Sequence, residues 1–530
     1  MAYQLTDKGR SVVKGIFTVI GILVAALTAY RFRDKVAPAR PGVAVVSSGA
    51  FGTTTPTDGG TREGTPDQLG RPLRVAVNTW PGYAPGLVAN GDHLNPSQDT
   101  MFYRNHGIQV KFRLIDDFNA SRDAFRSGAV DVLWATVDSF AMEAPSMAAL
   151  HPQAFLQFDY SAGGGAIAAT ANIRQVSDLR GKRVAYAQGT PSQFLLVYAL
   201  TNAQMSLSDV VSVTTSTATE AATLFRAGRV DAAVSWDPDV TNAARDRSGG
   251  HILLSTAQAD HIIADVFYAR ADFIAAHGDT LSRFAAGWFD GLRAIKQDRN
   301  VGVRALARGL TGVSLEDANA MLGNAHMTDY FENRRFFNID RGESVTFETI
   351  FQNALGIWRV LGIQPNPVPA QGRFVTGPLQ DIASSENSLA PNRTEDRPRT
   401  YVTAVADGGA AQSALLTRRV SIVFPTGSAS LDGNAAFALE RVADLAASFG
   451  GARMRVVGNT DNTGNPQANR TLSLRRAQAV ADWLVENGHF DRSKFDVSGV
   501  GSDNPVATNT TEEGRARNRR TDFEVIPEAR

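Results

Sequence analysis

The chain has 530 residues, with 53 basic and 53 acidic side chains, a formal net charge of +0 and a hydrophobic content of 43%. This length predicts about three domains joined by linkers, and the balanced charge gives no electrostatic footprint for nucleic acid. The absence of cysteine excludes disulfides, thiolate metal sites and a lipidated cysteine, and the eight scattered histidines show no metal-ligand spacing. No nucleophile elbow, Walker loop or dinucleotide fingerprint is found, so we predict no catalytic residues, no metal, no cofactor and no enzyme activity.

An apolar stretch from Ile16 to Tyr30 has basic residues on both sides. It is short for a membrane span, which needs about 20 residues, and a cleaved signal peptide has the same basic and apolar regions. Because no small-x-small cleavage site precedes the next basic run, we favour a retained anchor over residues 1–35. It would cross the inner membrane once, with the N-terminus in the cytoplasm. Cleavage after Ala29 is the alternative.

Two stretches read as linkers. Residues 36–72 are rich in Pro, Gly, Thr and Ser and lack periodicity, and residues 384–416 are again polar with small residues and proline. Such composition is typical of flexible tethers.

Between the two linkers, residues 73–383 alternate predicted strands with helical patterns. The predicted strands are Leu73 to Asn78, Val110 to Leu114, Val130 to Ala135, Arg183 to Tyr186 and Val230 to Ser235. This alternation predicts an α/β fold with largely parallel sheets. The segment from Ala124 to Asp131 is echoed from Leu224 to Asp231, each reading as a helix end, a glycine cap and a strand. The echo predicts one such unit in each of two similar lobes.

Four segments of this region carry a family resemblance: Asn78 to Tyr83, Val176 to Val184, Gly189 to Ser192 and Val230 to Pro238. In this order they resemble periplasmic substrate-binding proteins of ABC transporters, in the branch of the sulfonate, nitrate and taurine binders. The resemblance implies a two-lobed fold, type II-like, with a small organic solute in the cleft and an ABC permease as a partner. Lobe one would comprise residues 73–161 and 261–383, and lobe two residues 162–260.

The candidate ligand residues fall just after predicted strands, where open α/β sheets bind ligands. They are Trp80, Tyr83, Asp138, Ser139, Thr190, Ser192, Trp236 and Asp237. Core packing is an equal alternative for the two tryptophans, and a turn or cap is favoured for Asp138. The helix start at residues 190–192 suits an anion, whereas the nearby acidic residues favour an amine, namely Asp159, Asp237 and Asp265. The ligand therefore stays open, with a zwitterion or organic cation among the candidates.

After Phe273 the sequence is helical and amphipathic. Phe284, Trp288, Leu292 and Ile295 recur at helical spacing, which predicts a buried stripe rather than a ligand site.

Near the C-terminus, an alternating strand runs into a polar loop after Gly458, and a helix that contains Leu472 ends at Asn487 and Gly488. Asp461 lies on the loop, and Arg475 and Arg476 are expected in the first turns of the helix. A carboxylate beside a guanidinium suits a ligand with an ammonium and a carboxylate. On spacing alone, an ordinary surface pair is the favoured interpretation.

The run TDNTG from residue 460, Leu472 to Ala477, and the later GRARNRR from residue 514 resemble the peptidoglycan-binding signature of OmpA-like domains. The resemblance covers residues 417–530, beginning with an alternating strand of Val420, Ile422 and Phe424, and Ser428 to Leu431 as the lead into a helix. It implies that Asp461 and Arg476 grip the diaminopimelate of the peptidoglycan stem peptide. Asn469 and Arg475 are weaker candidates, and Asn459 stands where the family usually has His, which we expect to tune the loop.

These features favour a membrane-anchored solute-binding protein that also holds peptidoglycan. The alternative is a structural tether with a dead cleft, since an inner-membrane helix before an OmpA-like domain is also the arrangement of flagellar stator proteins. An aromatic-lined, open cleft would favour the first function, and a closed lobe interface packed with large side chains the second. Pyrimidine-precursor synthases of thiamine biosynthesis share the resemblance, but they carry a cysteine-rich motif that this chain lacks.

Overall fold

A computed structural model describes residues 69–259, 261–340, 345–363, 368–382 and 414–526, the last range with gaps at 421, 423, 425–427, 451 and 489. The expected membrane anchor, the first linker up to residue 68 and most of the second linker lie outside the described residues. Across the described ranges, no helix combines the length and apolar character that a membrane span requires.

The strands of the described ranges are β1 (Leu73–Val77), β2 (Val110–Leu114), β3 (Val132–Thr136), β4 (Gln153–Ser161), β5 (Gly165–Thr170), β6 (Arg183–Ala187), β7 (Val211–Thr215), β8 (Ala232–Trp236), β9 (Gly250–Ser255), β10 (Ala264–Ala269), β11 (Ala325–Met327), β12 (Leu416–Val420), β13 (Arg453–Asn459), β14 (Phe495–Gly501) and β15 (Thr521–Ile526). All five strands that the sequence predicted between residues 73 and 235 are present, with ends shifted by up to two residues.

The α-helices are α1 (Ala84–Ala89), α2 (Met101–His106), α3 (Phe118–Arg126), α4 (Val137–Glu143), α5 (Pro191–Asn202), α6 (Ala218–Arg226), α7 (Asp239–Asp246), α8 (Ala271–Gln297), α9 (Arg299–Gly309), α10 (Leu315–Met321), α11 (Tyr330–Phe336), α12 (Phe347–Val360), α13 (Gly377–Gln380), α14 (Gly433–Ser448), α15 (Pro466–Gly488) and α16 (Glu512–Asn518). The helix start expected at residues 190–192 is confirmed, with Thr190 as the N-cap of α5.

The first sheet has the strand order β11-β4-β10-β3-β1-β2, and we call it, with its helices, lobe one. Helix α8 packs the expected stripe against this sheet, and all four side chains of the stripe are buried. Trp288 lies 5.0 Å from the Phe267 ring of β10, and Phe158 of β4 lies 4.5 Å from the same ring. Burial of these large aromatic rings makes the apolar core of lobe one.

The second sheet has the strand order β7-β6-β8-β5-β9, and we call it, with its helices, lobe two. The chain leaves the first sheet after β4, enters β5 at Gly165, and returns to the first sheet in β10 after β9. Two connections therefore join the lobes, and both pass beside the ends of β4, β5 and β10.

The expectation of largely parallel sheets is wrong for these lobes. Strands β1, β2 and β3 pair in parallel, as do β6, β7 and β8, but β10 pairs antiparallel to β3 and β4, and β5 pairs antiparallel to β8 and β9. The parallel strands are those that follow a helical crossover. The antiparallel strands are those next to the connections between lobes, where no helix turns the chain round before the next strand.

The internal echo of the sequence is a repeated unit in the structure. Gly128 and Gly228 follow helices α3 and α6, and both have φ +72, a left-handed conformation that favours glycine. In lobe one, Arg270 donates to the carbonyl oxygens of residues 125 and 130 and its guanidinium lies 5.4 Å from the Phe125 ring. Arg247 makes the matching contacts in lobe two, 4.3 Å from the Phe225 ring. The two lobes therefore share the same arginine contacts as well as the same sequence pattern.

The third sheet has the order β12-β15-β13-β14 and is covered by helices α14 and α15. Helix α15 begins at Pro466, earlier than the sequence suggested, because Asn465 accepts hydrogen bonds from the backbone N–H groups of Gln467 and Ala468 and caps it. Strand β12 ends at Val420, so Ile422 and Phe424 follow the strand rather than belonging to it.

The third sheet contacts lobe two through helix α5. The backbone N–H of Val176 donates to the carbonyl oxygen of Leu415 at 2.9 Å. The Arg418 guanidinium donates to the Asn202 side chain at 2.7 Å, and the Tyr198 ring lies 6.1 Å from that of Phe449. The C-terminal half of helix α5 therefore contacts the C-terminal domain.

Helix α15 packs so closely on the third sheet that a side chain at Gly458 has no room. A Cβ atom built there would lie 2.1 Å from the Ser473 carbonyl oxygen. We predict that Gly458→Ala lowers the free energy of unfolding of this domain by roughly 1 to 3 kcal/mol, the range for an overpacked core. Calorimetry of the purified chain measures it.

The matched control is Gly433→Ala, at the first residue of α14, where an added Cβ would meet nothing within 4 Å. It should leave the transition unchanged or raise it slightly, since alanine is the better helix former. Equal effects of the two substitutions would contradict the close packing.

Candidate functional site

A cavity lies between the two lobes, with an empty volume of about 530 Å³ including the part open to solvent. Both lobes contribute to its wall, which is lined by Asn78, Trp80, Phe118, Trp134, Thr136, Ser161, Gly165, Pro191, Ser192, Leu195, Ser235, Trp236, Ile263 and Asp265.

Aromatic rings form much of this wall. The Phe118 ring at the start of α3 meets Trp134 of β3 edge-on, with centroids 4.9 Å apart. It lies 6.3 Å from Trp236, which ends β8 in the other lobe. The aromatic contact therefore crosses from lobe one to lobe two, and rings of both lobes line the cavity. Aromatic rings attract cations through their electron-rich faces.

Two buried carboxyl groups lie at the base of the cavity. Asp159 and Asp265 are opposite each other on the antiparallel strands β4 and β10, and Asp265 lines the cavity. The Trp80 indole N–H donates to Asp159 at 2.7 Å. Gly82 allows this approach, since a Cβ there would lie 1.5 Å from the Asp159 carboxylate oxygen. The Trp-Pro-Gly turn of the sequence thus positions an indole on a buried acid.

Burial and the neighbouring charge act together on this pair. Burial raises the pKa of Asp159 to about 6, against the opposing effect of its hydrogen bonds. Burial, with the negative charges of Asp159 and Asp138, raises the pKa of Asp265 well above its ordinary value. Ionisation of both members of so close a pair is unfavourable, so the pair retains a proton to higher pH than an isolated carboxyl group does.

The lobes are also joined by polar contacts beside the cavity. Asn324, next to β11 in lobe one, donates to the Asp237 carboxylate, which also accepts from the Thr241 hydroxyl. The hydroxyls of Ser161 and Thr256 lie 2.9 Å apart where the two connections meet. These hydrogen bonds therefore join the two lobes beside the cavity without the help of a ligand.

The structure brings three of the eight residues expected in the cleft to the cavity wall: Trp80, Ser192 and Trp236. The buried hydroxyl of Ser192 has no hydrogen-bond partner among the described residues. The Thr190 hydroxyl donates to the Ala187 carbonyl oxygen at the start of α5. Asp237 lies beside the cavity and bridges the lobes.

The other three expected residues lie behind the wall. Tyr83 is in the core of lobe one, 5.0 Å from the Phe158 ring, and its hydroxyl donates to Asn78. Asp138 and Ser139 are buried at the start of α4. Burial raises the pKa of Asp138 to about 7, and neither of its carboxylate oxygens has a hydrogen-bond partner among the described residues.

The sequence did not single out most of the wall. Phe118, Trp134, Thr136, Leu195 and Ile263 lie within or beside regular elements and read as core by periodicity. Asn78 and Ser235 belong to segments that carried the family resemblance, so those segments held a usable signal. The sequence indicated Asp265 only as an acid near the expected cleft.

A second site lies at the end of β13 in the C-terminal domain. One oxygen of Asp461 accepts from the backbone N–H of Thr463 at 2.9 Å, and the other accepts from the Arg519 guanidinium at 2.7 Å. Burial opposes ionisation, but these donors hold the pKa of Asp461 below its usual range. Arg519 also donates to Glu512 at 2.7 Å. Asp461 is therefore a carboxylate with a cation already beside it.

Arg476 is buried on helix α15 and shares the electrostatic environment of Asp461. Its Nε donates to the Ser428 carbonyl oxygen at 3.0 Å, and its guanidinium lies 4.8 Å from the Phe424 ring. Burial and the positive charge of Arg519 lower the pKa of Arg476, while Asp461 acts in the opposite sense. Asp461, Arg476 and Arg519 are therefore close enough to influence one another electrostatically.

The remaining candidates have different environments. The Asn469 side chain donates to the carbonyl oxygens of Asp461 and Thr463 and so holds the loop. Arg475 is exposed on α15, about 100° round the helix from Arg476. Asn459 is buried and donates to Val457 and Asp522, so it fixes the strand end beneath the loop. Arg519 lay within the Arg-rich motif but was not named as a site residue.

Comparison with known families divides the chain in the same way. The model described as NMT1/THI5 like matches residues 97–299, and the model of the OmpA family matches residues 423–519. The chain therefore carries an NMT1/THI5-like domain followed by an OmpA-like domain.

Among curated proteins, the chain is 32% identical over 156 residues to outer membrane porin F of Pseudomonas aeruginosa, covering 29% of this chain and 45% of that protein. It is 34% identical over 131 residues to the probable lipoprotein YiaD of Escherichia coli, covering 25% and 59%. It is 46% identical over 87 residues to the peptidoglycan-binding protein ArfA of Mycobacterium bovis, covering 16% and 26%. The chain thus spans less than two thirds of the length of each of these relatives.

Solved structures similar to this chain include the periplasmic aliphatic sulphonate binding protein SsuA of Escherichia coli, at 17% identity and a TM-score of 0.47, covering 57% of this chain and 92% of that one. Another is the desulfurization enzyme DSZB, at 13% identity and a TM-score of 0.44, covering 60% and 100%.

The raised pKa of Asp138 predicts a pH-dependent effect of Asp138→Asn on stability. The unfolded acid ionises from about pH 4, whereas the folded acid ionises only near pH 7, so ionisation costs the parent protein stability as pH rises between them. The variant cannot ionise at this position. The difference between its free energy of unfolding and that of the parent should therefore be on the order of 1 to 4 kcal/mol higher at about pH 8 than at about pH 4, so that the variant is relatively more stable at the higher pH.

Thermal and denaturant unfolding at the two pH values measure this difference. Asp123→Asn is the control, because that carboxylate is 74% exposed and its surface ion pair contributes little. A shift of Asp138→Asn that is the same at both pH values would contradict the burial of an ionisable acid.

Proposed function

We propose that this protein is a solute-binding protein of the cell envelope that is also held non-covalently to peptidoglycan through its C-terminal domain. The observation that carries the proposal is the aromatic-lined cavity between two lobes. In this reading the lobes bind a small organic solute for transport or sensing, and the OmpA-like domain keeps them at the wall.

The cavity favours solute binding over a purely structural tether. A spacer with a dead cleft would have its lobe interface filled by large side chains. Instead, aromatic rings line an empty space, together with the buried carboxyl group of Asp265 and the buried hydroxyl of Ser192, which has no partner among the described residues. Buried polar groups are normally satisfied, so the open Ser192 hydroxyl at the cavity wall suggests a ligand that completes it.

Peptidoglycan binding is supported by the charges around Asp461. A diaminopimelate side chain ends in an ammonium and a carboxylate. Asp461 offers an anionic partner for the first, and Arg476 a cationic partner for the second. Asn469 supports this binding indirectly, because its side chain holds the loop that carries Asp461. The exposed Arg475 would add only a long-range electrostatic attraction. ArfA, which shares sequence with this chain, is named a peptidoglycan-binding protein.

The location belongs to the same proposal. We place the two folded domains in the periplasm and residues 1–35 in the inner membrane as a single retained helix. The apolar stretch from Ile16 to Tyr30 and the basic residues on both sides of it support the anchor. An ABC permease is the expected partner if the bound solute is transported.

Native mass spectrometry of the full chain, released from mild detergent, tests solute binding. We expect a bound small molecule on the parent protein and its loss in Trp236→Ala, because that ring forms part of the wall between lobes. Phe437→Ala, which removes an exposed ring of α14, should keep the adduct. A parent protein that stays empty after incubation with sulfonates, phosphonates, polyamines and betaines would favour the structural tether.

Cosedimentation with purified diaminopimelate-type peptidoglycan tests the proposed peptidoglycan site around Asp461. Asp461→Ala and Arg476→Ala should each lower the bound fraction at least about tenfold, as expected from the loss of one charged hydrogen-bonding partner. Arg492→Ala should not, because this half-exposed arginine contacts Phe495 beyond the far end of α15.

Circular dichroism spectra confirm whether each variant remains folded. Unchanged pelleting of folded Asp461→Ala and Arg476→Ala would overturn the assignment of these residues.

A further inference from the structure

We propose that the solute of the interlobe cavity is an organic ammonium ion, whose charged nitrogen lies among the aromatic rings and against Asp265. This inference rests on the proposed solute binding and names its ligand class. It follows from the charges, the rings and the open polar groups of one cavity.

The charge of the cavity wall has one sign. Asp265 lines it, with Asp159 beside it, and no Lys, Arg or His is among the described residues that line the cavity. A carboxylate or sulfonate head at this base would face two acids without a counter-charge. An ammonium head would instead supply the positive charge that the pair lacks.

The aromatic rings favour the same ligand. Trp80, Phe118, Trp134 and Trp236 surround the space beside Asp265. A cation held within about 6 Å of such faces is attracted by the ring quadrupoles, most strongly when water is excluded. Tryptophan gives the strongest attraction, and three of these four rings are tryptophan.

One arginine lies close to this wall, but its charge is already paired. The Arg122 guanidinium lies 4.9 Å from both the Phe118 and the Trp134 ring centroids. It does not line the cavity, and it donates to both carboxylate oxygens of Glu143 at 2.7 and 3.2 Å. It therefore braces the aromatic wall from behind and is not available to an anionic ligand.

The polar groups opposite the acids set a further preference. Helix α5 presents Pro191 and Ser192 to the cavity, and the Ser192 hydroxyl has no partner among the described residues. A hydroxyl or carboxylate on the far end of the ligand would satisfy this group. The site thus fits a compact ammonium compound with a polar tail.

Proton release follows from this arrangement. The groups facing the acid pair are Asp138, His326 on β11, and the Trp80 and Tyr83 side chains. Only His326 supplies positive charge, and only when protonated. Because burial and Asp159 raise the pKa of Asp265, the empty pair holds a proton that an entering cation would displace. Ammonium binding should therefore release protons and strengthen as pH rises.

The test is titration calorimetry of the full chain with choline, with the uncharged isostere in which carbon replaces its nitrogen, with glycine betaine and with ethanesulfonate. We expect choline or betaine to bind at least about tenfold more tightly than the isostere and than ethanesulfonate. Repeating the titration in buffers of different ionisation enthalpy measures the released protons.

Asp265→Asn is the decisive variant. It should weaken choline or betaine binding at least about tenfold, yet leave or raise the thermal midpoint, since it removes one of two facing acids. Asp123→Asn, at the exposed surface of α3, should change neither. A rise in stability with loss of the cation separates a ligand role from a structural one.

Each outcome decides between the proposals. Binding of ethanesulfonate or the neutral isostere in preference to the cations overturns the ammonium inference and keeps solute binding. Cation binding that Asp265→Asn does not weaken also overturns it. The absence of binding by any probe overturns the inference and, with an empty native mass spectrum, the proposed solute binding as well.

Discussion

A buried pair of acids between neighbouring strands is the constraint on which the cleft depends. Asp159 and Asp265 face each other where the chain passes between the two lobes, with Trp80 donating to the first. Their strands are the same ones that break the parallel pairing of the first sheet. The connection between lobes and the charge at the base of the cavity therefore have one structural origin, the antiparallel entry of β10 between β3 and β4.

The sequence predicted the elements better than their arrangement. Strands and helix starts follow local signals, such as the alternation of β2 or the Thr-Pro start of α5, and these were correct. The direction of β5 and β10 depends on how the chain returns between lobes, which periodicity does not encode. The same limit applies to the cavity wall. Phe118 and Trp134 read as core residues, because an aromatic ring at a cavity and one in a core have the same spacing.

The motifs were more informative where they fixed a backbone. Trp80, Gly82 and Ser192 belong to short turn motifs, and the structure places each of them at or beside the cavity. Tyr83 belongs to the same turn but packs into the core, since successive residues of a turn point in different directions. At the C-terminal site the loop residue Asp461 was found, whereas its partner Arg519 is 58 positions away and needed the fold to connect them.

Both candidate sites meet the same physical demand in different ways. A carboxylate out of water needs a counter-charge before any ligand arrives. At the peptidoglycan site the guanidinium of Arg519 supplies this counter-charge to Asp461, so the acid is ionised and already has one hydrogen-bonding partner. In the cleft no basic residue lines the cavity among those described, so a proton serves Asp265 instead. A ligand ammonium must displace an arginine contact in one site and a proton in the other. Only the second exchange releases a proton, so the same cationic group would be held by one domain steadily and by the other according to pH.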